Sequence, residues 1–228
     1  MIISEDGTTV GTLGGGDLEK RVIEEAVDAI KQGQPRITSF TLDIEKGKLD
    51  MMCGGELDVY IEPILPKAKL VIFGAGHITQ ALAPLMQMAG FLVSVIDDSP
   101  DLIQRDKFRG IEDLSLKDME QAAKELSPES NTYVVLLSRG FSKDEAILRR
   151  LIQKDFKYIG MIGSMRKIMT MKENLQKQGI PKEAFTKLHA PIGLDIGAET
   201  PEEIAISIAA EMIVAQKGKL DFFRNKEE

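Results

Sequence analysis

Cysteine is nearly absent from this chain. Cys53 is the only one among 228 residues, which excludes an intramolecular disulfide and suits a reducing compartment. Histidine occurs only at positions 77 and 189. With Cys53 these cannot assemble a conventional closed zinc site, and neither a C-x-x-C nor an H-E-x-x-H spacing occurs. Positive charge is in deficit, 29 Lys and Arg against 36 Asp and Glu for a net charge of -7, which argues against a nucleic-acid partner. No serine lies in a G-x-S-x-G elbow, so a hydrolase triad has no support. Apolar runs are broken by charges or glycines well short of a membrane span. The start, MIISEDGTTV, lacks the basic and apolar regions of a signal peptide. Internal repeats and low-complexity tracts are absent as well. What remains is the composition of a soluble cytoplasmic protein, 43% hydrophobic and 29% charged, long enough for one large domain or a medium domain with a smaller companion.

The richest stretch is 69–99. An apolar run from Leu70 to Phe73 breaks into Gly74-Ala75-Gly76; a helical pattern follows from Ile78 to Met88. A second apolar run, Phe91 to Ile96, ends in Asp97 and Asp98. This order of strand, glycine turn, helix, strand and acid predicts a dinucleotide-type βαβ unit in a parallel sheet. Gly74 lets the chain turn sharply off the strand, and Gly76 lets backbone N–H groups approach a phosphate. Asp97 or Asp98 lies where an acid would reach a ribose hydroxyl, the arrangement of a nicotinamide-dependent oxidoreductase binding NAD(P). The third glycine of that fingerprint is Thr79, so helix and strand must pack around a branched side chain.

Residues 1–65 predict a small α/β domain. Strands at 2–3 and 8–13 flank an Asp6-Gly7 turn. Asp17 is expected to cap a helix with Leu18, Val22, Ile23, Ala26, Val27 and Ile30 on one face, stopped by Gly33. Strands follow at 36–45 and 56–63. Pro63 and Pro66 mark the boundary, and a second domain spans 69–218. In it, strands at 133–137, 158–162 and 188–192 alternate with helices at 145–152, up to Leu175, and 201–216, which implies right-handed crossovers. Their carboxyl ends carry Ser138-Arg139-Gly140, Gly163-Ser164-Met165-Arg166-Lys167 and the segment APIGLDIGAE at 190–199, the edge where open α/β sheets bind ligands.

Arg166 and Lys167 in a helix's first turn are locally unfavourable unless an anion binds there; otherwise they pair in solvent with Glu173 or the Asp155 region. Asp195 could serve a ligand or close an Asx-turn. Thr200 and Glu203 form a capping box. Gly14-Gly15-Gly16 could cradle an anion or be a flexible hairpin exit, and Glu19 complements the helix dipole. Cys53, beside Gly54 and Gly55, could meet a soft metal or be an inert small residue. His77 could bond a phosphate, shuttle a proton or cap its helix.

In order, GTLGGGDLE (11–19), CGGELDVYIEP (53–63), VIFGAGH (71–77), VIDDS (95–99), YIGMIGSMRK (158–167) and APIGLDIGAETPEEIAISIAAEM (190–212) resemble the xanthine dehydrogenase accessory factor family, XdhC/CoxI, from about residue 5 to about residue 216. The resemblance implies a small N-terminal α/β domain joined to a Rossmann-like parallel sheet, usually in a homodimer. It implies a factor that binds the molybdenum cofactor (molybdopterin), keeps its sulfido form intact and passes it to a molybdenum hydroxylase apoenzyme, with a cysteine desulfurase as a further partner. It further implies that Gly14, Gly15, Gly16, Cys53, Gly54, Gly55, Gly74, Gly76, His77, Arg139, Ser164, Arg166, Lys167, Gly193 and Asp195 line the working cleft, with Cys53 near the metal. Family members begin with a further segment of roughly 40 residues, whose loss would reduce burial in so small a domain. They also usually carry a histidine where this chain has Phe141.

Overall fold

The computed structural model describes residues 1–42, 55–111, 113–129 and 131–218. They form two compact units, 1–66 and 67–228.

The N-terminal unit begins with an antiparallel ribbon, β1 (Ile2–Ile3) and β2 (Thr9–Val10). Its turn closes because the Asp6 carboxylate accepts the Thr8 N–H at 2.9 Å and the Thr8 hydroxyl at 2.7 Å. Helix α1 (Gly16–Gln32) buries Leu18, Val22, Ala26 and Ala29, positions that recur on one helical face. It covers a second antiparallel ribbon, β3 (Arg36–Leu42) and β4 (Gly55–Ile61), in which Arg36 stands opposite Ile61 and Phe40 opposite Leu57. The core is small, chiefly Leu18, Val22 and Phe40 with Ile3, Leu13 and Val59 against them. Polar clamps supplement it: Arg36 reaches Glu25 at 3.0 Å and Asp28 at 2.8 Å on α1, and the Arg21 guanidinium lies 5.1 Å from the Phe40 ring centre.

Gly33 ends α1 as expected, in a left-handed conformation (φ 65°) with its N–H on the carbonyls of Ala29 and Ile30. A methyl there would also stand 3.1 Å from Leu65 Cδ1. Gly33→Ala is therefore expected to destabilise the protein by about 1 kcal/mol, measured by denaturant unfolding. Asp17 departs from expectation. It sits inside the first turn rather than at the cap, because Gly15 is the N-cap and no side chain bonds there as one.

The second unit is a parallel sheet of six strands in the order β10-β9-β8-β5-β6-β7. In chain order its elements are β5 (Lys69–Phe73), α2 (His77–Met88), β6 (Leu92–Asp97), β7 (Asp113–Leu116), α3 (Met119–Glu125), β8 (Thr132–Leu136), α4 (Phe141–Leu151), β9 (Tyr158–Met161), α5 (Met165–Lys177), β10 (Leu188–His189) and α6 (Pro201–Gln216). The chain winds outward from β5 in one direction through β6 and β7, then returns to the other side of β5 through β8, β9 and β10. The switch point lies between β5 and β8.

Side chains alternate across the sheet as the pleat requires. Leu70, Ile72, Val95, Tyr133 and Val135 pack on one face with Leu82 and Met86 of α2 and Ile208 and Met212 of α6. Val71, Phe73, Val134, Leu136 and Ile159 pack on the other with Ile147, Leu148 and Leu151 of α4 and Ile168 and Met171 of α5. Burial on both faces explains why β5 and β8 are continuous apolar runs in the sequence.

The βαβ unit and the capping box appear as expected, and the α/β class with a parallel sheet holds throughout this unit. The structure adds β7 and α3. Asp113–Leu116 is an edge strand that mixes polar and apolar residues and leaves Leu116 52% exposed, so no apolar run marks it. The strand expected over 188–192 is only Leu188–His189, since Pro191 has no N–H to extend the ladder. Ile192 still donates to the Met161 carbonyl at 3.0 Å.

Candidate functional site at the carboxyl edge of the parallel sheet

Gly74 leaves β5 at φ 110°, and a Cβ there would stand 2.6 Å from both the carbon and the oxygen of the Leu137 carbonyl. The turn thus runs directly against the extension of β8, a path only glycine can take. Thr79 is accommodated, not merely tolerated. It is fully buried, and its hydroxyl donates to the Gly74 carbonyl at 2.6 Å, so the branched residue stitches the helix to the turn.

Asp97 has a different role from the one its position suggests. Its carboxylate accepts the Ala75 N–H at 2.7 Å and the Ser99 N–H at 2.8 Å, and the residue is 5% exposed. It holds the glycine turn and faces inward instead of presenting itself to a ribose. Asp98 is engaged too, by Lys143 of α4 at 2.7 Å, and this contact raises the lysine pKa above its ordinary value.

Helix α2 starts at Gly76 with no side-chain cap. The Arg139 guanidinium, from the loop after β8, lies 3.9 Å from where a Cβ on Gly76 would stand. Arg139 and His77 are exposed, and neither has a hydrogen-bond or ion-pair partner among the described residues. An uncapped helix start with a free guanidinium beside it is an anion-binding arrangement. A cavity of about 520 Å³ opens next to it, lined by His77, Gln80 and Ala81 of α2 and by Pro201 and Glu202 of α6.

The turn after β9 divides its cations. Arg166 is exposed and without a partner among the described residues. Lys167 instead folds back to donate to Asp144, which also receives the Ser138 hydroxyl. Asp144 is 1% exposed. The expectation that both cations face an anion is corrected: among the described residues only Arg166 is without a partner, because the buried carboxylate draws Lys167 inward. Arg166 does face solvent, as the other reading expected, but among the described residues neither cation is paired with Glu173 or Asp155, and Asp155 pairs with Lys187. Ser164 is the N-cap of α5, its Oγ accepting the Lys167 N–H at 3.3 Å.

In the loop after β10, Asp195 accepts the Gly197 N–H at 3.4 Å, an Asx-turn at an exposed site. Gly193 donates to Glu211 of α6 at 3.0 Å, and Glu211 also takes the Tyr158 hydroxyl at 2.6 Å. Thr200 and Glu203 complete their box, with the N–H of Glu199, then that of Thr200, holding the Glu203 carboxyl below its ordinary range.

Gly74, Gly76, His77, Arg139, Ser164, Arg166, Lys167, Gly193 and Asp195 all lie at the carboxyl ends of adjacent parallel strands. The sequence did not single out Asp144 or Glu211. Asp144 lies in FSKDE, where nothing marks it; Glu211, the lone acid inside the apolar run of α6, carried a usable signal.

In the N-terminal unit, Gly14, Gly15 and Gly16 all have positive φ. The Gly14 N–H donates to the Thr12 hydroxyl at 3.0 Å, and the Gly15 N–H turns to a carboxylate of the same turn. Glu19 accepts the Thr12 hydroxyl at 2.6 Å, the Leu13 N–H at 2.9 Å and the Gly15 N–H at 3.2 Å, and the Thr12 hydroxyl contributes most to lowering its pKa. Glu19 lies in the first turn of α1 as expected for the dipole and closes the preceding turn as well. Gly55 is the first residue of β4. Cys53 and Gly54 lie outside the described residues. Among the described residues no group of three or more His, Cys, Asp or Glu could hold a metal ion, and no helix is long and apolar enough to cross a membrane.

Comparison with known proteins places this geometry. The chain is 33% identical over 217 residues to the uncharacterized protein YqeB of Escherichia coli, covering 93% of this chain and 39% of that protein. It is 31% identical over 160 residues to a probable xanthine dehydrogenase subunit of Bacillus subtilis, covering 70% and 46%. It thus spans less than half the length of either relative. A molybdenum cofactor insertion chaperone of Escherichia coli, PaoD, is 20% identical over 262 residues, covering 93% of this chain and 76% of PaoD. A Bacillus halodurans crystal structure described as a xanthine dehydrogenase shares the fold, with TM-score 0.60, 23% identity and coverage of 95% of this chain and 85% of that one. Residues 70–212 match the XdhC Rossmann domain and residues 1–41 the XdhC and CoxI family; the chain belongs to the XdhC and CoxI family.

Proposed function

We propose that this protein is an accessory factor that binds the molybdenum cofactor and delivers it to the apoenzyme of a xanthine dehydrogenase-type molybdenum hydroxylase. It would act in the cytoplasm as a homodimer, with a cysteine desulfurase as a second partner. The observation that carries this reading is the uncapped start of α2 with the free Arg139 guanidinium beside Gly76. That arrangement suits a phosphate such as the one molybdopterin carries. Arg166, at the start of α5, supplies a second free cation on the same edge. The name of PaoD, a distant relative, agrees with this role.

The fit is to the phosphate end of the cofactor. Arg139, the N–H groups at the start of α2 and Arg166 would hold that end, while Asp97 and Thr79 keep the turn in shape. The bound cofactor supplies the redox-active molybdenum that the client enzyme needs for hydroxylation. The residues of this chain bind, orient and release it.

The alternative, an NAD(P)-dependent oxidoreductase, needs an acid facing a ribose. Asp97 has both carboxylate oxygens on backbone N–H groups and Asp98 is paired with Lys143, so that reading ranks second.

The test is retention of molybdopterin by anaerobically purified protein, read as the fluorescence of its oxidised pterin. Arg139→Ala is expected to weaken retention by roughly 10- to 100-fold, the loss of one charge-assisted contact, with folding unchanged. Wild-type protein that retains no pterin, and leaves the activity of a co-expressed hydroxylase unaffected, sinks the proposal.

A further inference from the structure

Asp144 joins the two loops that carry Arg139 and Arg166, the arginines without a partner among the described residues. Its Oδ1 accepts the Ser138 hydroxyl and its Oδ2 the Lys167 ammonium, one partner on each oxygen. Ser138 directly precedes Arg139, and Lys167 directly follows Arg166. Backbone pairing between the strands reaches Leu137, whose N–H donates to the Phe73 carbonyl at 2.8 Å, and Ile162, whose N–H donates to the Leu136 carbonyl at 3.1 Å. Both arginines lie beyond those bonds, and the neighbour of each is bound to Asp144. The carboxylate itself is fixed in place. It is buried in the first turn of α4, a helix whose Ile147, Leu148 and Leu151 pack in the sheet core. Gly163 makes room for the lysine to fold back, since a Cβ there would stand 3.1 Å from Lys167 Cδ.

We propose that Asp144 is a positioning residue for the anion site: through Ser138 it fixes the backbone under Arg139, and through Lys167 the backbone under Arg166, so that both guanidinium groups engage one ligand. The proposal rests on the reading of this edge as the cofactor's phosphate site. β8 and β9 are adjacent, and neighbouring strands lie about 4.8 Å apart, within the span of two arginine side chains. A phosphate monoester carries a charge of roughly -1.5 to -2 near pH 7 and three acceptor oxygens, so it takes guanidinium groups from two sides. Long side chains lose rotamer freedom when they bind. Fixing the backbone beneath each one lowers that cost before the ligand arrives. Asp144 touches no ligand itself. Lys167 offsets its charge, so the carboxylate that aligns the cations does not repel the anion they hold.

The experiment measures how fast pterin leaves the anaerobically purified, cofactor-loaded protein after desalting, read as the fluorescence of the released and oxidised pterin. In the native background Arg139→Ala and Arg166→Ala are each expected to speed release by about tenfold or more. Two further backgrounds cut one tie each. Asp144→Asn with Lys167→Met removes the tie to Arg166, keeps an acceptor for Ser138 and leaves the net charge of -7 unchanged. Ser138→Ala removes the tie to Arg139 and keeps every charge, so it decides the matter alone should the paired variant fail to fold. Each background is expected to speed release by about tenfold. In the paired variant Arg166→Ala is then expected to add less than about twofold while Arg139→Ala keeps its full effect; in Ser138→Ala the pattern is reversed. A background that releases pterin at the wild-type rate overturns the proposal. So does an arginine that keeps its full effect after its tie is cut, as it would if Lys167 itself bound the ligand. Equal weakening of both arginines in both backgrounds, the mark of general loosening, overturns it as well. Wild-type protein that retains no pterin removes the phosphate-site reading and the positioning role with it; the other outcomes, with pterin retained, remove the positioning role alone.

Discussion

Lys167→Met is expected to lower the unfolding free energy by about 3 kcal/mol. Asp144, in the first turn of α4, is 1% exposed and has two partners, the Ser138 hydroxyl and the Lys167 ammonium. Removing the ammonium leaves a buried carboxylate with a single neutral donor. Breaking a buried pair in this way costs about 3–5 kcal/mol. The Lys167 side chain is 24% exposed, so water compensates in part and the lower end applies. Adding Asp144→Asn removes the orphaned charge while keeping an acceptor for Ser138, and the double variant is expected to recover most of the loss. Urea unfolding of the two single variants and the double one measures this. If Lys167→Met instead weakened pterin retention at unchanged stability, the lysine would belong to the ligand and not to Asp144.

Gly74→Ala is expected to cost about 3 kcal/mol or more, or to prevent folding of the second unit. Two independent effects add. The residue sits at φ 110°, and the new methyl would meet the Leu137 carbonyl at 2.6 Å and the Ser138 nitrogen at 2.7 Å. Those atoms belong to the buried backbone that continues β8, so they cannot swing aside. Gly76→Ala is the contrast. Its φ is -72° and the nearest atom to a new Cβ is 3.9 Å away on Arg139, so stability is expected to change little. The methyl would stand between Arg139 and the start of α2, where it would obstruct an anion. Thermal unfolding together with pterin retention separates the two glycines: Gly74→Ala should fail in the first assay, Gly76→Ala only in the second.

The contrast shows how far a motif can be read. The two jobs assigned to Gly74 and Gly76 follow from strand, turn and helix occurring in that order within residues 69–88. The apolar runs of β5, β6, β8 and β9 were legible because strands buried on both faces have no polar side to interrupt them. The capping box at Thr200 was legible because it is a contact between residues three apart. β7 was not, since an edge strand with one wet face leaves no apolar run.

Charge partners were the least legible. Lys167 and Asp144 are 23 residues apart, and Asp97 reaches Ala75 across 22. Local sequence shows which residues carry charge but not which charges meet. The Gly14–Gly16 turn shows the same limit at short range: its composition left an anion cradle and a flexible hairpin exit both open, and did not show that Glu19 would take the Gly15 N–H.

The sequence by itself determined the parallel α/β architecture, the glycine turn at the carboxyl edge of the sheet and the family resemblance. All of these rest on periodicity and on short-range spacing. Only the tertiary structure decided which cations are free. Among the described residues Arg139 and Arg166 remain available while Lys167 is bound, because α4 brings a buried carboxylate to the edge where several strands end. It also decided that Asp97 serves the turn. Those outcomes depend on what the chain brings together in space.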